Sequence, residues 1–372
     1  MLLIQSTLKR IKFPVSFHIS TVKFGSSVKQ GLILQSLSNN VFENLAVEDW
    51  IHDHMNLEEK NVLFLWKNSP TVVIGRHQNP WKECNLHLMR EKGISLARRR
   101  SGGGTVYHDL GNVNLTFFTS RKRYDRLENL NFIIRALKEL KPCLDVQATQ
   151  RYDLLLDGKY KISGTASKLG RTVAYHHCTL LCNADTSILP LVLQTPYRGI
   201  QSNATSSVPS LVQNLSQAHS SLTCEAVMDA VTKQYSLYYD NDPLVNVVDP
   251  NDQSMFPSLS QKKKDLCTWE WIYGKTPKFD IMTSFQILHK DSIIDVKLSM
   301  SIKSGYIEDC SIILPNYWLP KEQCDELQSS LLGSRFCPSE TAFLVSTLLR
   351  TSQDCEIQSK WSILCEKLVS IM

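Results

Sequence analysis

Hydrophobic and polar residues follow two different periods along this chain of 372 residues. Short apolar runs at 62–66, 71–74 and 113–119 end at turn-forming residues and predict β-strands, the first two as a pair. Apolar positions three and four residues apart predict amphipathic helices over 43–55 and 127–140. Because strands and helices mix throughout, the pattern predicts an α/β (α+β) protein with mixed sheets.

The pattern changes near Phe279, where strand-like segments are followed by helical ones. A chain of this length usually forms two domains. We therefore predict a large domain over 32–278 and a small α+β domain over 279–372. Within the large domain, the polar stretches 198–216 and 241–264 predict a mobile loop and a connector.

The N-terminal segment is basic, and no acidic residue precedes Glu43. Its composition, with serine, threonine and spaced cations, is typical of an organelle transit peptide. We therefore predict a mitochondrial transit peptide and leader over 1–31 and a location in the mitochondrial matrix, with a disordered basic tail as the alternative. Five cations in this segment account for the whole formal net charge of +5: Lys9, Arg10, Lys12, Lys23 and Lys29. The neutral remainder argues against a nucleic-acid-binding protein.

The 11 cysteines are scattered without any CxxC pair, which favours reduced, mostly buried thiols over a metal site. The spacing of Cys178 and Cys182 comes closest, but it lies in an apolar, strand-like run with no matching second pair. No run of about 18 apolar residues is present, so we expect a soluble protein that does not span a membrane. The neutral body also favours a monomer.

The segment Arg98–Asn112, RRRSGGGTVYHDLGN, carries the first chemical signal. Three consecutive glycines permit backbone conformations closed to other residues and let a ligand approach closely. The preceding arginines offer permanent donors to a carboxylate or a phosphate. The alternative is an ordinary glycine-rich hairpin beside a solvated basic edge. The segment matches neither a Walker A loop nor the GxGxxG fingerprint, so neither of these nucleotide sites is favoured.

A second signal is Lys161, which follows the tight-turn dipeptide Asp157-Gly158 and precedes the small residues Ser163 and Gly164. A lysine on a strand often points into water. Beside a pocket, however, it can pair with a phosphate, polarise a carbonyl or act as a Schiff-base nucleophile. The residues alone leave these roles open.

Five motifs occur in the order of a known family: VLFLWKNSPTVVIGRHQNPWKECN (62–85), RRRSGGGTVYHDLGN (98–112), DGKYKISGTASK (157–168), HHCTLLCNAD (176–185) and WEWIYGKTPKF (269–279). In these motifs the chain resembles the lipoate-protein ligase and lipoyltransferase family. The resemblance implies a biotin-ligase-like large domain, a small C-terminal domain and an acyl-adenylate ligand. It implies lipoyl-AMP as substrate, no obligatory cofactor, no metal, and acceptor lysines on lipoyl domains of 2-oxoacid dehydrogenase E2 subunits and glycine cleavage H protein.

The resemblance also implies site residues. Lys161 matches the family's essential lysine, which contacts the acyl carbonyl and the phosphate. Positions around the lipoyl tunnel are matched by Trp66, Arg99, Ser101 and Gly103. Positions facing the adenylate are matched by Tyr107, His108 and Asn112. The predicted substrate site is completed by Gly102, Gly104, Arg151, Asp153, Thr179 and Val208, and Asp153 is also a candidate general base.

Two departures from the family pattern bear on the reaction. Where bifunctional ligases carry arginines in the loop 207–212, this chain has Pro209 and Leu211, which cannot hold a triphosphate. Tyr152 stands where these ligases usually have asparagine. We therefore hypothesise that the protein transfers lipoyl groups from lipoyl-AMP without efficient ATP-dependent activation. The alternatives are a bifunctional ligase, a biotin-protein ligase and a non-catalytic carrier-binding protein.

Overall fold

The computed structural model describes residues 30–239 and 244–372, and these form two compact units. The first unit comprises the described residues up to Arg76 together with Gly93–Pro190 and Val208–Cys267. The second unit comprises His77–Lys92, Leu191–Ser207 and Thr268–Met372. The second unit thus includes two internal segments of the predicted large domain and its last residues, 268–278. Residues 1–29 of the predicted leader lie outside the described residues.

The strands of the described residues are, in chain order, β1 (Gln30–Ser36), β2 (Lys60–Trp66), β3 (Thr71–Ile74), β4 (Ser95–Arg98), β5 (Val106–His108), β6 (Asn112–Ser120), β7 (Val146–Ala148), β8 (Leu154–Leu156), β9 (Tyr160–Ser163), β10 (Thr165–Leu169), β11 (Val173–Leu181), β12 (Ile200–Ser202), β13 (Val245–Val248), β14 (Phe279–His289), β15 (Ser292–Lys303) and β16 (Tyr306–Ile313).

The helices of the same residues are α1 (Val41–His54), α2 (Pro80–Glu83), α3 (Leu86–Glu91), α4 (Arg126–Leu140), α5 (Leu189–Val192), α6 (Leu215–Ala218), α7 (Cys224–Tyr239), α8 (Leu259–Leu266), α9 (Trp269–Ile272), α10 (Lys321–Leu331), α11 (Pro338–Thr351) and α12 (Cys355–Ser370), with a 3₁₀ turn at Arg121–Arg123. None of these helices is both long and apolar enough to cross a membrane.

A six-stranded mixed sheet, in the order β10-β11-β6-β2-β1-β13, forms the centre of the first unit. β1 runs parallel to both β2 and β13, whereas β6 runs antiparallel to β2 and β11. Helices α4 and α7 pack together and share a buried core with this sheet, in which Leu65 and Phe117 meet Ile133 and Val231. Six of the seven β2 residues are buried, which explains their continuous apolar pattern.

Three predictions from the pattern were wrong in detail. The runs 62–66 and 71–74 do not pair with each other, because β1 and β6 occupy both edges of β2 while β3 joins β4 and β5 in a separate sheet. The predicted connector contains β13, which completes the central sheet, and helix α8. Likewise, the predicted mobile loop contains β12 and α6. Short segments of this kind are too brief to show a period.

The second unit contains a four-stranded antiparallel sheet, in the order β12-β14-β15-β16, together with helices that include α10, α11 and α12. Its core includes the Trp81 ring, whose centroid lies 5.3 Å from those of Tyr273 and Phe279 and 5.4 Å from that of Phe336. The aromatic residues of the motif WEWIYGKTPKF therefore build a core rather than a reactive site. The predicted α/β (α+β) class with mixed sheets is confirmed.

Candidate functional site

The glycine loop of the first unit is held in place by the buried guanidinium of Arg99. Nη2 donates to the carbonyl oxygens of Gly102 at 2.6 Å and Gly104 at 2.7 Å, and Nη1 donates to Val73 O at 3.0 Å. Nε donates to Ser101 Oγ at 3.0 Å. Burial lowers the pKa of Arg99 to about 10, so the side chain stays charged at neutral pH. Arg99 therefore shapes the loop instead of offering its donors to a ligand.

These bonds also decide which way the loop amides point. In a trans peptide the N–H lies opposite the C=O of the same unit. Because Gly102 O is directed at Arg99, the N–H of Gly103 is directed away from it, toward the other side of the loop. Gly103 has φ of +86°, and a Cβ added there would lie 3.0 Å from Arg99 Nη2 and 3.3 Å from Ala166 Cβ. Glycine is required at this position by both conformation and space.

The two neighbouring arginines also have structural partners. Arg98 Nη1 donates to the carbonyl oxygens of Gly75 at 3.2 Å and Arg76 at 3.0 Å. Arg100 Nε donates to Asp49 Oδ2 at 2.9 Å. The expectation that all three arginines present free donors beside the loop is therefore wrong, because backbone carbonyls and a buried carboxylate already bind these groups.

A buried chain of hydrogen bonds runs from the glycine loop to the indole of Trp66. Ser101 Oγ lies 2.9 Å from His177 Nε2, and His177 Nδ1 lies 2.8 Å from Glu48 Oε1. Thr116 Oγ1 donates to the same Glu48 oxygen at 2.8 Å and accepts from Trp66 Nε1 at 3.0 Å. Two residues predicted around the lipoyl tunnel, Trp66 and Ser101, are thereby joined through three that sequence reasoning missed.

The negative charge of Glu48, at the centre of this chain of hydrogen bonds, is stabilised by its neighbours. Burial opposes ionisation of Glu48, but the facing His177 ring and the bonds from His177 and Thr116 hold the pKa of its carboxyl below the ordinary value. Burial and the neighbouring Glu48 and Asp49 raise the pKa of Tyr175 well above 10. The network thus keeps one buried carboxylate charged beside a neutral phenol.

His108 presents a buried donor that has no partner within residues 30–239 and 244–372. Asn68 Nδ2, 3.0 Å from His108 Nδ1, donates to this ring nitrogen, because Asn68 Oδ1 already accepts from Asn44. Burial, together with the nearby Arg99 and His177, lowers the pKa of His108 to about 3, so the ring is neutral and its proton is on Nε2. Among the described residues, Nε2 has no hydrogen-bond partner. An orphaned buried N–H suits a polar ligand.

Asn112 and Tyr107 are placed differently. Asn112 Nδ2 donates to Asn114 Oδ1 at 3.0 Å, while Asn112 Oδ1 is buried without a partner in the described part of the chain. Tyr107 precedes His108 on β5, so the two side chains point to opposite sides of the strand. Burial, with Asp109 and Asp185 nearby, raises the pKa of Tyr107 to about 12. Asn112 therefore offers an acceptor, whereas Tyr107 and His108 cannot face the same ligand surface.

Lys161 lies on β9 and its ammonium is fixed from two sides. Nζ lies 2.9 Å from Asp153 Oδ1, and both side chains are partly exposed. A Cβ added at Gly164 would lie 3.1 Å from Lys161 Cε and 3.4 Å from its Nζ. Thr179 Oγ1 accepts from the Gly164 N–H at 3.2 Å, and Thr179 N donates to Gly164 O at 3.0 Å. Thr179 thus holds the glycine against which the lysine lies.

The hairpin that carries Lys161 forms as its sequence predicts. Asp157 and Gly158 have φ of 53° and 64°, and Lys159 N donates to Leu156 O at 3.1 Å, which closes a tight turn. β10 then follows Gly164 directly and connects the lysine to the glycine loop: a Cβ on Gly103 would meet Ala166 and Thr165 of this strand. The ammonium and the loop amides therefore border one connected region of the first unit.

The segment that begins at Val208 pairs with the lysine strand through its backbone. Lys161 N donates to Leu211 O at 2.8 Å, and Gln213 N donates to Lys161 O at 3.3 Å. The Val208 side chain is 56% exposed and that of Leu211 is 63% exposed. Apolar groups, not cations, therefore stand beside the strand of Lys161. Arg151 is exposed at the turn before Asp153.

No group of His, Cys, Asp and Glu side chains with the arrangement of a metal site occurs among the described residues. No disulfide joins the cysteines that the structure describes, and most of these thiols are at least partly buried. Burial raises the pKa of the Cys178 thiol well above its ordinary value, so this cysteine is a packing residue and not a nucleophile.

Comparisons with known proteins identify the family of this chain. Residues 40–236 match the model of the lipoyl protein ligase A/B catalytic domain. The human mitochondrial lipoyl amidotransferase is 62% identical over 356 residues, covering 95% of each chain. The crystal structure of P. falciparum LipL1 in complex with lipoate is 27% identical with a TM-score of 0.58, covering 91% of this chain and 99% of that one. An archaeal bipartite lipoate protein ligase, solved in a study with its E2 lipoyl domain from Thermoplasma acidophilum, shares the fold at 24% identity with a TM-score of 0.56, covering 66% of this chain and 97% of that one.

The chain belongs to the lipoate-protein ligase and lipoyltransferase family. Its similarity to a named lipoyl amidotransferase over nearly the whole length confirms the prediction of an acyltransferase that acts in lipoylation. The names of similar human and mouse proteins also confirm the mitochondrial location at the level of the organelle.

Proposed function

We propose that this enzyme transfers the lipoyl group from lipoyl-AMP to the ε-amine of a specific lysine in the mitochondrial matrix. The acceptors are lipoyl domains of 2-oxoacid dehydrogenase E2 subunits and glycine cleavage H protein. The enzyme acts as a monomer and uses lipoyl-AMP as substrate, with no further cofactor. The observation that carries the proposal is the Lys161 ammonium, held by Asp153 against Gly164 in the region that the glycine loop borders.

The reaction needs little covalent help from the protein. Lipoyl-AMP is a mixed anhydride, so the attacking amine forms a C–N bond while the bond between the carbonyl carbon and the phosphate oxygen breaks. AMP leaves with that electron pair, and the amine loses a proton to a base. The main tasks are therefore to position the amine and to stabilise negative charge on the carbonyl oxygen and the phosphate.

The described residues supply groups for these tasks. The Lys161 ammonium offsets negative charge at the reacting carbonyl and phosphate, and the glycine-loop amides that face away from Arg99 bind phosphate oxygens. The orphaned His108 donor and Asn112 acceptor fit the polar nucleotide. Trp66 and the buried chain through Glu48 surround the acyl group. Asp153 orients Lys161 and remains the candidate base.

The segment Val208–Gln213 supports transfer without activation. ATP brings a triphosphate of several negative charges, which protein sites neutralise with arginines, lysines or metal ions. Here Pro209 and Leu211 replace the arginines of bifunctional ligases, and the exposed side chains Val208 and Leu211 are apolar. The adenylate carries one phosphate, for which Lys161 and the loop amides suffice.

An assay with two donors tests the proposal. Purified enzyme and an apo lipoyl domain are incubated either with synthetic lipoyl-AMP or with lipoate and Mg-ATP, and lipoylation is followed by mass spectrometry. We expect rapid modification with lipoyl-AMP and little with lipoate and ATP. Efficient lipoylation from lipoate and ATP would show a bifunctional ligase. Biotinyl-AMP with a biotin carrier domain serves as the control for the biotin-ligase alternative, and modification there would contradict lipoyl specificity.

A further inference from the structure

Tyr152 has a backbone conformation that is unusual for its residue type. Its φ is +64°, in the left-handed region that glycine and asparagine enter most readily. A bulky residue in this region costs of order 1–3 kcal/mol, and such residues persist where surrounding contacts hold them and cluster at functional sites. The strain lies one residue before Asp153, the partner of Lys161.

The turn around Tyr152 is fixed by several bonds. Tyr152 N donates to Thr149 O at 2.9 Å, and Asp153 N donates to Thr149 Oγ1 at 3.1 Å. Thr165 Oγ1 donates to Tyr152 O at 3.0 Å. The three consecutive residues 164–166 therefore touch the lysine, this turn and the glycine loop. An asparagine would form the turn with less strain, so local folding does not explain the tyrosine.

The Tyr152 side chain is partly exposed to solvent and lies against Arg126. Its ring is 36% exposed, and Arg126 Cζ lies 4.9 Å from the ring centroid, which covers one face by a cation–π contact. Arg151 is the preceding residue and is exposed. In the part of the chain that the structure describes, neither guanidinium forms an ion pair with a carboxylate: Arg126 donates to Tyr124 and Ser167. The result is a cationic, aromatic surface beside the reactive lysine.

We propose that Tyr152 and Arg126 form the docking surface for the acceptor protein, and that they bind a carboxylate-bearing segment next to its target lysine. This inference rests on the proposed function. The acceptor amine must reach the carbonyl beside Lys161, so the protein that carries it covers the exposed surface around the Asp153–Lys161 pair. Arg126 uses Nε and Nη2 to bind Tyr124 and Ser167, so Nη1 is the donor that it directs to a carboxylate, and the tyrosine ring supplies rigid contact area at low entropic cost.

Transfer to two different amines separates docking from chemistry. Wild type, Tyr152→Asn and Arg126→Gln are supplied with lipoyl-AMP and either an apo lipoyl domain or the small amine Nα-acetyl-lysine amide. Arg171→Gln is the matched control, because it removes an exposed arginine at the other end of β10. We expect kcat/KM for the protein acceptor to fall about tenfold in Tyr152→Asn and Arg126→Gln, as for loss of an interface hot spot. Rates with the small amine and in Arg171→Gln stay at the wild-type level.

Two further readouts distinguish a binding role from a structural one. Tyr152→Asn should raise the melting temperature because it relieves strain, although it lowers transfer. Transfer to the lipoyl domain should decline with salt in the wild type and less steeply in Arg126→Gln.

Several results would overturn the docking surface. Equal losses with both amines would show that these residues support the fold or the chemistry. If Arg126→Gln raises the KM for lipoyl-AMP and leaves the KM for the lipoyl domain unchanged, Arg126 binds the nucleotide phosphate instead. Unchanged transfer to the protein acceptor in Tyr152→Asn and Arg126→Gln would show that these residues have no part in docking. A wild-type enzyme that acylates neither amine would overturn the proposed function itself, and this surface with it.

Discussion

The ammonium of Lys161 lies 2.9 Å from Oδ1 of Asp153, and this ion pair fixes the position of the lysine's positive charge in the candidate site. Gly164 closes the other side, since a Cβ there would come within 3.1 Å of Lys161 Cε. The lysine therefore keeps one position before substrate arrives, which is the condition for electrostatic stabilisation without reorganisation.

Replacing Asp153 by asparagine tests this orientation. Asp153→Asn keeps the size of the side chain but removes the charge that holds the ammonium. We expect kcat for transfer from lipoyl-AMP to fall about 10-fold to 100-fold, less than the loss on removing an electrostatic donor itself. The KM for the acceptor should change little. A wild-type kcat in steady-state assays would show that Lys161 needs no carboxylate partner.

Two alanine substitutions in the glycine loop distinguish the effect of backbone strain and crowding from the effect of replacing a glycine that has neither. Gly103 has φ of +86° and lies against Arg99 Nη2 and Ala166, whereas a Cβ on Gly102 would meet nothing within 4 Å. Gly103→Ala should therefore lower the free energy of unfolding by about 1–3 kcal/mol and weaken binding of lipoyl-AMP. Gly102→Ala is the matched control and should fold as the wild type does, as measured by urea denaturation. Equal stability of both variants would contradict the described loop conformation.

Arg99→Lys tests whether the guanidinium shapes the loop or only supplies charge. A lysine keeps the charge but cannot bond Val73, Ser101, Gly102 and Gly104 together from one planar group. We expect a loss of about 2–4 kcal/mol in unfolding free energy, in the range for breaking a buried charged network. Binding of lipoyl-AMP, measured by calorimetry, should weaken in parallel. Wild-type stability in this variant would mean that the loop does not depend on Arg99.

His108 predicts a specific dependence of stability on pH. Its folded pKa of about 3 lies below the unfolded value of about 6.5, so below pH 6.5 the unfolded state binds the proton that the folded state refuses. Stability is therefore lost as pH falls from 6.5 toward 3, by about 1.4 kcal/mol per unit from this residue. His108→Gln has no histidine to protonate at this position. As pH falls from 6.5 to 4.5, its free energy of unfolding relative to the wild type should therefore rise by about 1.4 kcal/mol per pH unit. Parallel curves for the two proteins would contradict a neutral, buried His108.

Local chemistry made part of the site predictable. The Asp157-Gly158 turn and the lysine after it could be inferred because left-handed backbone positions favour these residue types, and the structure has φ of 53° and 64° there. The need for glycine at position 103 could be inferred for the same reason, since its φ is +86°. The amphipathic helix predicted over 127–140 forms as α4 (Arg126–Leu140). The helix predicted over 43–55 forms as α1 (Val41–His54), but it is buried on most sides and is not amphipathic.

Long-range pairing was not predictable in the same way. Glu48 meets His177 across 129 positions and Thr116 across 68, and no local pattern marks a buried Glu–His–Ser chain. The HH of the motif HHCTLLCNAD was a visible signal, but His176 and His177 alternate on β11 and only His177 joins the chain. The arginines at 98–100 were misinterpreted for a related reason. Their positive charge is evident in the sequence, but the carbonyl and carboxylate oxygens that accept their hydrogen bonds are not.

The most direct test of the central claim is a rapid-quench, single-turnover measurement of lipoyl transfer from synthetic lipoyl-AMP to an apo lipoyl domain. Wild type and Lys161→Ala are compared at saturating enzyme, with folding of the variant checked by circular dichroism. We predict that the variant binds the adenylate but loses at least 100-fold in the rate of acyl transfer. Acyl transfer by folded Lys161→Ala at the wild-type rate would contradict the role assigned to this lysine.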